Sequence, residues 1–321
     1  MNLLLTGGTG FFGKALLRHW KDLAAQGRAV PNVTVLSRQP EAFLARHPAF
    51  AAQPWLRFHQ GDVLRPSSLP AAPAFTHVLH AAADSTDAPK LKPLQRYAQI
   101  VDGTRHLLDY SAAHGIGRFL FTSSGGVYGP QPKDMDRIPE TYQGMPDPLD
   151  ERNSYGVAKR CAEHLCKLYS EQYGLEVVIA RCFAFVGRDL PLDAHFAIGN
   201  FIRDALHSSE IVVRGDGSPV RTYLDQRDLA KWLETLLIHG KSGSAYNVGG
   251  DQTITILELA RIIRDLLAPD KTINIIGSIE SKSLNNRYVP DISRARVEFG
   301  LTSTILLPDS ISETKKHFST S

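Results

Sequence analysis

Tyr155 and Lys159 stand four residues apart in the string Tyr155-Gly156-Val157-Ala158-Lys159. On a helix that spacing puts both side chains on one face, about one turn apart, where they can point into the same cleft. An ammonium close to a phenol favours the phenolate. In a partly dry site, a tyrosine with an ordinary pKa of about 10 then becomes a general acid or base usable at neutral pH. Upstream, Phe119-Leu120-Phe121-Thr122-Ser123-Ser124 reads as a buried strand ending in hydroxyls. One of these can hydrogen-bond a substrate oxygen while Tyr155 moves its proton.

A second string, Thr6-Gly7-Gly8-Thr9-Gly10-Phe11-Phe12-Gly13, follows the apolar Leu3-Leu4-Leu5 and precedes Lys14-Ala15-Leu16-Leu17. It reads as strand, tight turn and helix, which is the context that a dinucleotide phosphate site requires. Gly7 permits the turn, Gly10 lets the backbone approach a pyrophosphate, and Gly13 lets the helix pack on the strand. The helix N-terminus turns its N–H groups toward the anion. The spacing G-x-x-G-x-x-G meets the dinucleotide fingerprint only loosely, so an ordinary strand-to-helix turn is the alternative. The Tyr155/Lys159 pair in the same chain decides for the nucleotide.

The elements that must hold these residues alternate through the first half, predicting a doubly wound parallel sheet of the Rossmann type. Strands are expected at 33–36, 56–58, 76–80 and 177–180, and helices at 93–114 and 154–173. A Pro- and Gly-rich stretch at 130–148 reads as a long loop covering substrate. Residues 227–239 read as a helix and 245–248 as a last strand. The expected domains are therefore 1–182 plus about 223–250 for the nucleotide, and about 183–222 plus 251–321 for a smaller substrate-binding lobe.

Many of these residues together resemble the extended short-chain dehydrogenase/reductases, the NAD(P)-dependent epimerases and dehydratases of nucleotide sugars. The resemblance runs through Thr6 to Gly13, Gly61-Asp62-Val63, His80-Ala81-Ala82-Ala83, Thr122-Ser123-Ser124 and Val127-Tyr128-Gly129. It continues through Tyr155/Lys159, Arg181 with Gly187, Gly215-Asp216-Gly217, Arg221, and Tyr246-Asn247-Val248-Gly249. It implies cofactor contacts from Gly7, Thr9, Gly10, Phe11, Phe12 and Gly13, from Asp62 and Val63 at the adenine, and from Ala81, Ala82 and Ala83 at the ribose. Tyr155 and Lys159 reach the cofactor as well. The resemblance also implies a diphosphate grip by Arg221 and Arg287 and substrate contacts from Ser124, Gly125 and Asn200. A homodimer through the helices at 93–114 and 154–173 is expected on the same ground.

The cofactor turns on the end of the second strand. A carboxylate there would bind the ribose hydroxyls of NAD, whereas Leu36-Ser37-Arg38-Gln39-Pro40 carries none. Arg38 can pair with a 2′-phosphate and Ser37 can donate to it, which favours NADP(H) over NAD(H). An arginine stacked on adenine or left in solvent is the alternative.

The reaction type turns on the two residues after Ser124. In the family's 4,6-dehydratases an Asp-Glu pair stands there and removes water from the sugar, and here the positions are Gly125 and Gly126. Asp84, Asp87 or Glu140 would have to supply a carboxylate from elsewhere. Ser124, Tyr155 and Lys159 over a nicotinamide suffice to oxidise or reduce one secondary alcohol, as a 4-epimerase or a 4-keto-6-deoxy sugar reductase does. Ala184 and Ile100 replace asparagines common in the family, which suggests a less polar pocket suited to 6-deoxy sugars, the precursors of surface polysaccharides and glycosides. A non-catalytic NADP-binding sensor is the rival from another class, but such proteins typically lose the Tyr/Lys pair.

Composition agrees. In 321 residues, 43% are hydrophobic and the formal charge is +3, enough for a large core and too balanced for a nucleic-acid partner. Cys161, Cys166 and Cys182 form no metal-ligand spacing and read as reduced thiols. No run approaches the length of a membrane span, and the chain is expected to be cytoplasmic.

Overall fold

In a computed structural model, the structure describes residues 1–71, 74–83, 91–194, 196–277 and 286–319. Strands β1 (Asn2–Thr6), β2 (Asn32–Ser37), β3 (Leu56–Gln60), β4 (His77–His80), β5 (Arg118–Ser124) and β6 (Glu176–Cys182) come first. Helices α1 (Phe11–Ala25), α2 (Pro40–Arg46), α3 (Pro93–Ala113) and α4 (Ser154–Tyr173) run between them. The second half adds β7 (Phe185–Val186), α5 (Ala197–His207), β8 (Glu210–Arg214), β9 (Val220–Thr222), β10 (Leu224–Asp225), α6 (Gln226–His239) and β11 (Ser244–Val248). Last come β12 (Thr253–Thr255), α7 (Ile256–Leu267), β13 (Thr272–Ile276), β14 (Arg287–Tyr288), α8 (Ser293–Phe299) and α9 (Leu307–Ser319).

Seven strands form one sheet in the order β11-β6-β5-β4-β1-β2-β3. Its centre is parallel, β1 pairing with both β2 and β4, and β4 with β5. Strands covered on both faces are apolar without alternation, and Leu3, Leu4 and Leu5 accordingly have no exposed surface. Helix α3 starts at Pro93, whose fixed φ suits a first helical position. Helix α4 stops at Gly174, a left-handed C-cap at φ 68°.

The chain forms two compact units. One comprises Met1–Val127, Pro146–Arg181 and Ala230–Tyr246, and the other Tyr128–Met145, Cys182–Leu229 and Asn247–Ser321. The first holds the large sheet with its helices. In the second, β12, β9 and β14 form a three-stranded sheet and β13 pairs with β8 in parallel. The segment read as a covering loop is tied within the second unit. Ile138 is fully buried, receives a bond from Asp291 N at 2.9 Å and donates to Val289 O at 2.8 Å, while Gln131 Oε1 accepts from Val289 N at 3.0 Å.

Candidate active site

Strand β1 delivers its glycine turn against the end of β4. Gly7 sits at φ 71°, and a methyl group there would overlap the Ala81 carbonyl oxygen. A methyl on Gly13 would overlap Gly8 Cα, so the first turn of α1 lies directly on the strand exit. Gly10 is the N-cap of α1 and brings no side chain to it, and no acidic residue occupies the first turn. The result is a backbone cradle at a positive helix end, which fits the diphosphate of a dinucleotide.

Around the cradle, Arg38 is exposed at the end of β2, and Ser37 Oγ accepts from Gln39 N at 3.3 Å. Asp62 Oδ1 accepts from Leu64 N at 2.9 Å, and the Val63 carbonyl meets His106 Nδ1 at 2.9 Å. Ala81 N donates to Thr6 O at 3.1 Å and Ala83 N to Ala81 O at 3.0 Å, tying Ala81, Ala82 and Ala83 to the exit of β1.

Strand β5 ends in Ser124, which is 8% exposed, and its Oγ accepts the Gly126 N–H at 3.0 Å. With that lone pair used, the hydroxyl hydrogen is directed elsewhere. Tyr155 lies in the first turn of α4, one turn before Lys159. A methyl on Gly126 would stand 3.3 Å from Ser124 Oγ and 3.9 Å from Tyr155 Cδ1, so the two side chains flank one spot. A methyl on Gly156 would press on Gly126 O at 2.6 Å, and the bare backbone at both positions lets α4 approach the β5 exit.

Lys159 is only 3% exposed. Its ammonium donates to Thr122 O at 2.7 Å and lies 4.6 Å from the Phe121 ring centroid and 5.9 Å from that of Tyr155. Behind it stands His80, buried between Thr6 and Thr104. Thr104 gives its hydroxyl hydrogen to Ile100 O at 2.6 Å, so it accepts from His80 Nε2–H at 3.1 Å. His80 Nδ1 then accepts from Thr6 at 2.7 Å, which fixes a neutral imidazole. Burial above all, and then the nearby Lys159 charge, push its pKa down to about 3. Thr122 Oγ1 donates to His80 O at 3.0 Å, closing a polar network from glycine turn to lysine.

One turn beyond Lys159, Glu163 holds Arg181 of β6 through Nε at 3.0 Å and Nη2 at 2.7 Å. Sequence reasoning gave no role to Phe121, His80, Thr104 or Glu163. The i,i+4 step from Lys159 to Glu163 was the only local signal.

The remaining expected contacts lie in the second unit. Asn200 on α5 accepts from Arg203 at 3.3 Å. On β9, Arg221 donates to Val220 O and Asn286 O at 2.9 and 2.8 Å, its guanidinium 5.9 Å from the Tyr288 ring, and burial lowers its pKa. Strand register puts Tyr288, not Arg287, directly across from Arg221. Arg287 Nη2 donates to Asp136 O at 3.3 Å, while Nε is buried with no hydrogen-bond partner among the described residues. That orphaned donor fits an anionic group.

One expectation changes. Ile100 is 1% exposed inside the core that contains Val63 and Phe121, so it says nothing about pocket polarity. Glu140 Oε1 accepts from Asn247 N at 2.9 Å, and burial chiefly raises its pKa. Asp84 and Asp87 lie outside the described residues. Gly125 begins a short turn of 3-10 helix after β5. Among the described residues no cluster of His, Cys, Asp and Glu could hold a metal ion, and no helix is long and apolar enough to cross a membrane. Cys161, Cys166 and Cys182 are free thiols.

A family model described as the NAD dependent epimerase/dehydratase family matches residues 3–249. The chain is 30% identical over 321 residues to a dTDP-glucose 4,6-dehydratase from an Actinoplanes species, covering 98% of this chain and 96% of that one. It is 27% identical over 312 residues to UDP-glucuronic acid decarboxylase 1 of Arabidopsis thaliana, covering 97% of this chain but 68% of the plant protein. Among solved structures, DesIV, a dTDP-glucose 4,6-dehydratase from Streptomyces venezuelae with NAD bound, superposes with a TM-score of 0.85 at 26% identity, covering 100% and 97% of the two chains. A UDP-glucose 4-epimerase from Thermotoga maritima shares the fold, with a TM-score of 0.81 at 23% identity over 100% and 99%.

Proposed function

The chain belongs to the NAD-dependent epimerase/dehydratase family, and from that premise we propose that it moves a hydride at carbon 4 of a nucleotide-diphosphate hexose without removing water. Its action is that of a 4-epimerase or a 4-keto-6-deoxy sugar reductase. The observation that carries this reading is the site around Gly126: Ser124 and Tyr155 flank it, and no side chain stands at 125 or 126 where the dehydratase pair would be.

A nicotinamide cofactor, when bound, would supply the hydride acceptor or donor. Tyr155 exchanges the proton of the carbinol oxygen. Ser124, whose Oγ accepts from Gly126 N, donates its own hydrogen to that oxygen and fixes its direction. Lys159 carries the charge that favours the Tyr155 phenolate and would hold the cofactor's ribose when it is bound. Arg221 and Arg287 grip the diphosphate, a role supported by the orphaned Arg287 Nε, and Asn200 contacts the substrate.

Gly7 to Gly13 would hold the cofactor's diphosphate, with Asp62 and Val63 contacting its adenine and Ala81 to Ala83 its ribose. Arg38, exposed just past β2, a strand whose sequence carries no acid, supports NADP(H). The relatives with NAD bound support the wider class of pyridine nucleotide. A homodimer through α3 and α4 belongs to the same reading, supported by the exposed Leu94, Leu168 and Tyr173 on those helices.

Mass spectrometry of the nucleotide released when freshly purified, undialysed protein is denatured tests the reading. Retained NAD(H) favours an epimerase that recycles its cofactor and overturns the role of Arg38. An empty site that takes up NADPH favours the reductase. A second reading, dehydration, has the Actinoplanes relative in its favour; it requires a carboxylate from outside positions 125 and 126.

A further inference from the structure

A buried ammonium is costly unless its surroundings replace water. Thr122 O supplies one hydrogen-bond acceptor for Lys159, and the face of the Phe121 ring lies 4.6 Å from the same nitrogen. Phe121 is itself 1% exposed, so this contact is screened from solvent, where attraction between a cation and a ring is strongest. Neighbouring residues of one strand thus hold the lysine by different means, the carbonyl from Thr122 and the π face from Phe121. The Tyr155 ring lies farther from the nitrogen, at 5.9 Å.

We propose that Phe121 is a positioning residue, whose ring face holds the Lys159 ammonium where it favours the Tyr155 phenolate. This rests on the reading of Tyr155 and Lys159 given above. Several ionisable groups face the ammonium from the elements packed on it. On β4 there is His80, fixed neutral by Thr6 and Thr104. On α4 there are Tyr155, Cys166 and Glu163, the last bound by Arg181 of β6. The role is specific to an aromatic ring, since an aliphatic residue of similar size would fill the core and offer no negative face.

The test replaces Phe121 by 4-fluoro-, 3,5-difluoro- and 3,4,5-trifluorophenylalanine, which drain the ring face of negative charge with little change of shape. Lysines are labelled with 13C at the ε carbon, and the signal missing from Lys159→Met is followed through a pH titration of the purified protein without substrate. Turnover of a nucleotide-diphosphate hexose is recorded against pH in the same series.

The expected result is a stepwise fall of the Lys159 midpoint, by about half a pH unit or more across the series. The acid limb of turnover moves upward in step, because a less firmly held ammonium favours the phenolate less. A constant Lys159 midpoint overturns the proposal by making Phe121 a packing residue only, and a falling midpoint with an unmoved acid limb overturns it by confining the ring's effect to Lys159. The titration needs no substrate, so failure of the nucleotide-sugar reading is seen separately, as absence of turnover in the unsubstituted protein. Phe121→Leu, which keeps an apolar core residue and removes the ring, is expected to shift the midpoint at least as far as the trifluoro ring.

Discussion

The Lys159 ammonium donates to the Thr122 carbonyl at 2.7 Å, so β5, the strand that ends in Ser124, also anchors the cation one helical turn from Tyr155. A single strand end therefore sets two of the three groups assigned to proton transfer. The third is set by helical spacing, since Tyr155 and Lys159 are four residues apart on α4.

Replacing Tyr155 by Phe removes the exchangeable proton and leaves the ring. Turnover is expected to fall by about 10²- to 10⁴-fold with cofactor affinity retained, because general acid–base catalysis contributes on that scale. Steady-state kinetics together with cofactor titration check this. Unchanged turnover would assign the proton transfer to a group other than Tyr155.

His80 ties acid stability to the network behind Lys159. Its pKa lies at about 3 in the folded protein against an ordinary 6.5, chiefly because it is buried. Below pH 6.5 the unfolded chain takes up a proton that the native imidazole refuses. This stability is therefore complete above pH 6.5 and drains as the pH falls toward 3, at no more than about 1.4 kcal/mol per pH unit for one proton. His80→Gln keeps a donor for Thr104 and removes the titration. Its urea midpoints between pH 4 and 7 are expected to fall less steeply than those of the natural protein.

The ion pair of Glu163 and Arg181 is mostly withdrawn from water, with side chains 9% and 16% exposed. Removing one partner leaves the other charge half stranded. Glu163→Ala is expected to cost about 3 kcal/mol or more. The paired change Glu163→Leu with Arg181→Met is expected to recover much of that loss, as chemical denaturation would read.

Arg38→Glu tests the cofactor preference. A charge-assisted bond to a 2′-phosphate contributes about 1.5–3 kcal/mol, so NADPH affinity is expected to fall about tenfold or more while NADH affinity holds or rises. Equal losses for both cofactors would put Arg38 on the adenine instead.

Much of the sheet was legible because its strands are continuous apolar runs and its turn is punctuated by glycine. The helices expected at 93–114 and 154–173 correspond to α3 and α4, bounded by Pro93 and Gly174. The Tyr155/Lys159 pairing was legible because helical periodicity alone determines it. The support behind it was not. His80 meets Thr6, Thr104 and the Thr122 hydroxyl across 74, 24 and 42 residues, and those contacts exist only once β4 registers with β1 and β5 and α3 packs on the sheet. Ile100 misled for a related reason: a substitution within a family motif does not reveal which way a helix faces. The anchoring of Ile138 to Val289 and Asp291 is equally long-range, and a stretch rich in Pro and Gly gives no local sign of it.

The most direct test of hydride transfer at carbon 4 is the proton NMR spectrum of nucleotide-diphosphate hexoses and their 4-keto-6-deoxy derivatives, incubated with the purified protein and either NAD(H) or NADP(H). The expected product differs from its substrate only at carbon 4, as an inverted alcohol or a ketone reduced to one, and the Tyr155→Phe protein does not form it. A product that has lost water or carbon dioxide, or no product from any of these sugars, would contradict the account.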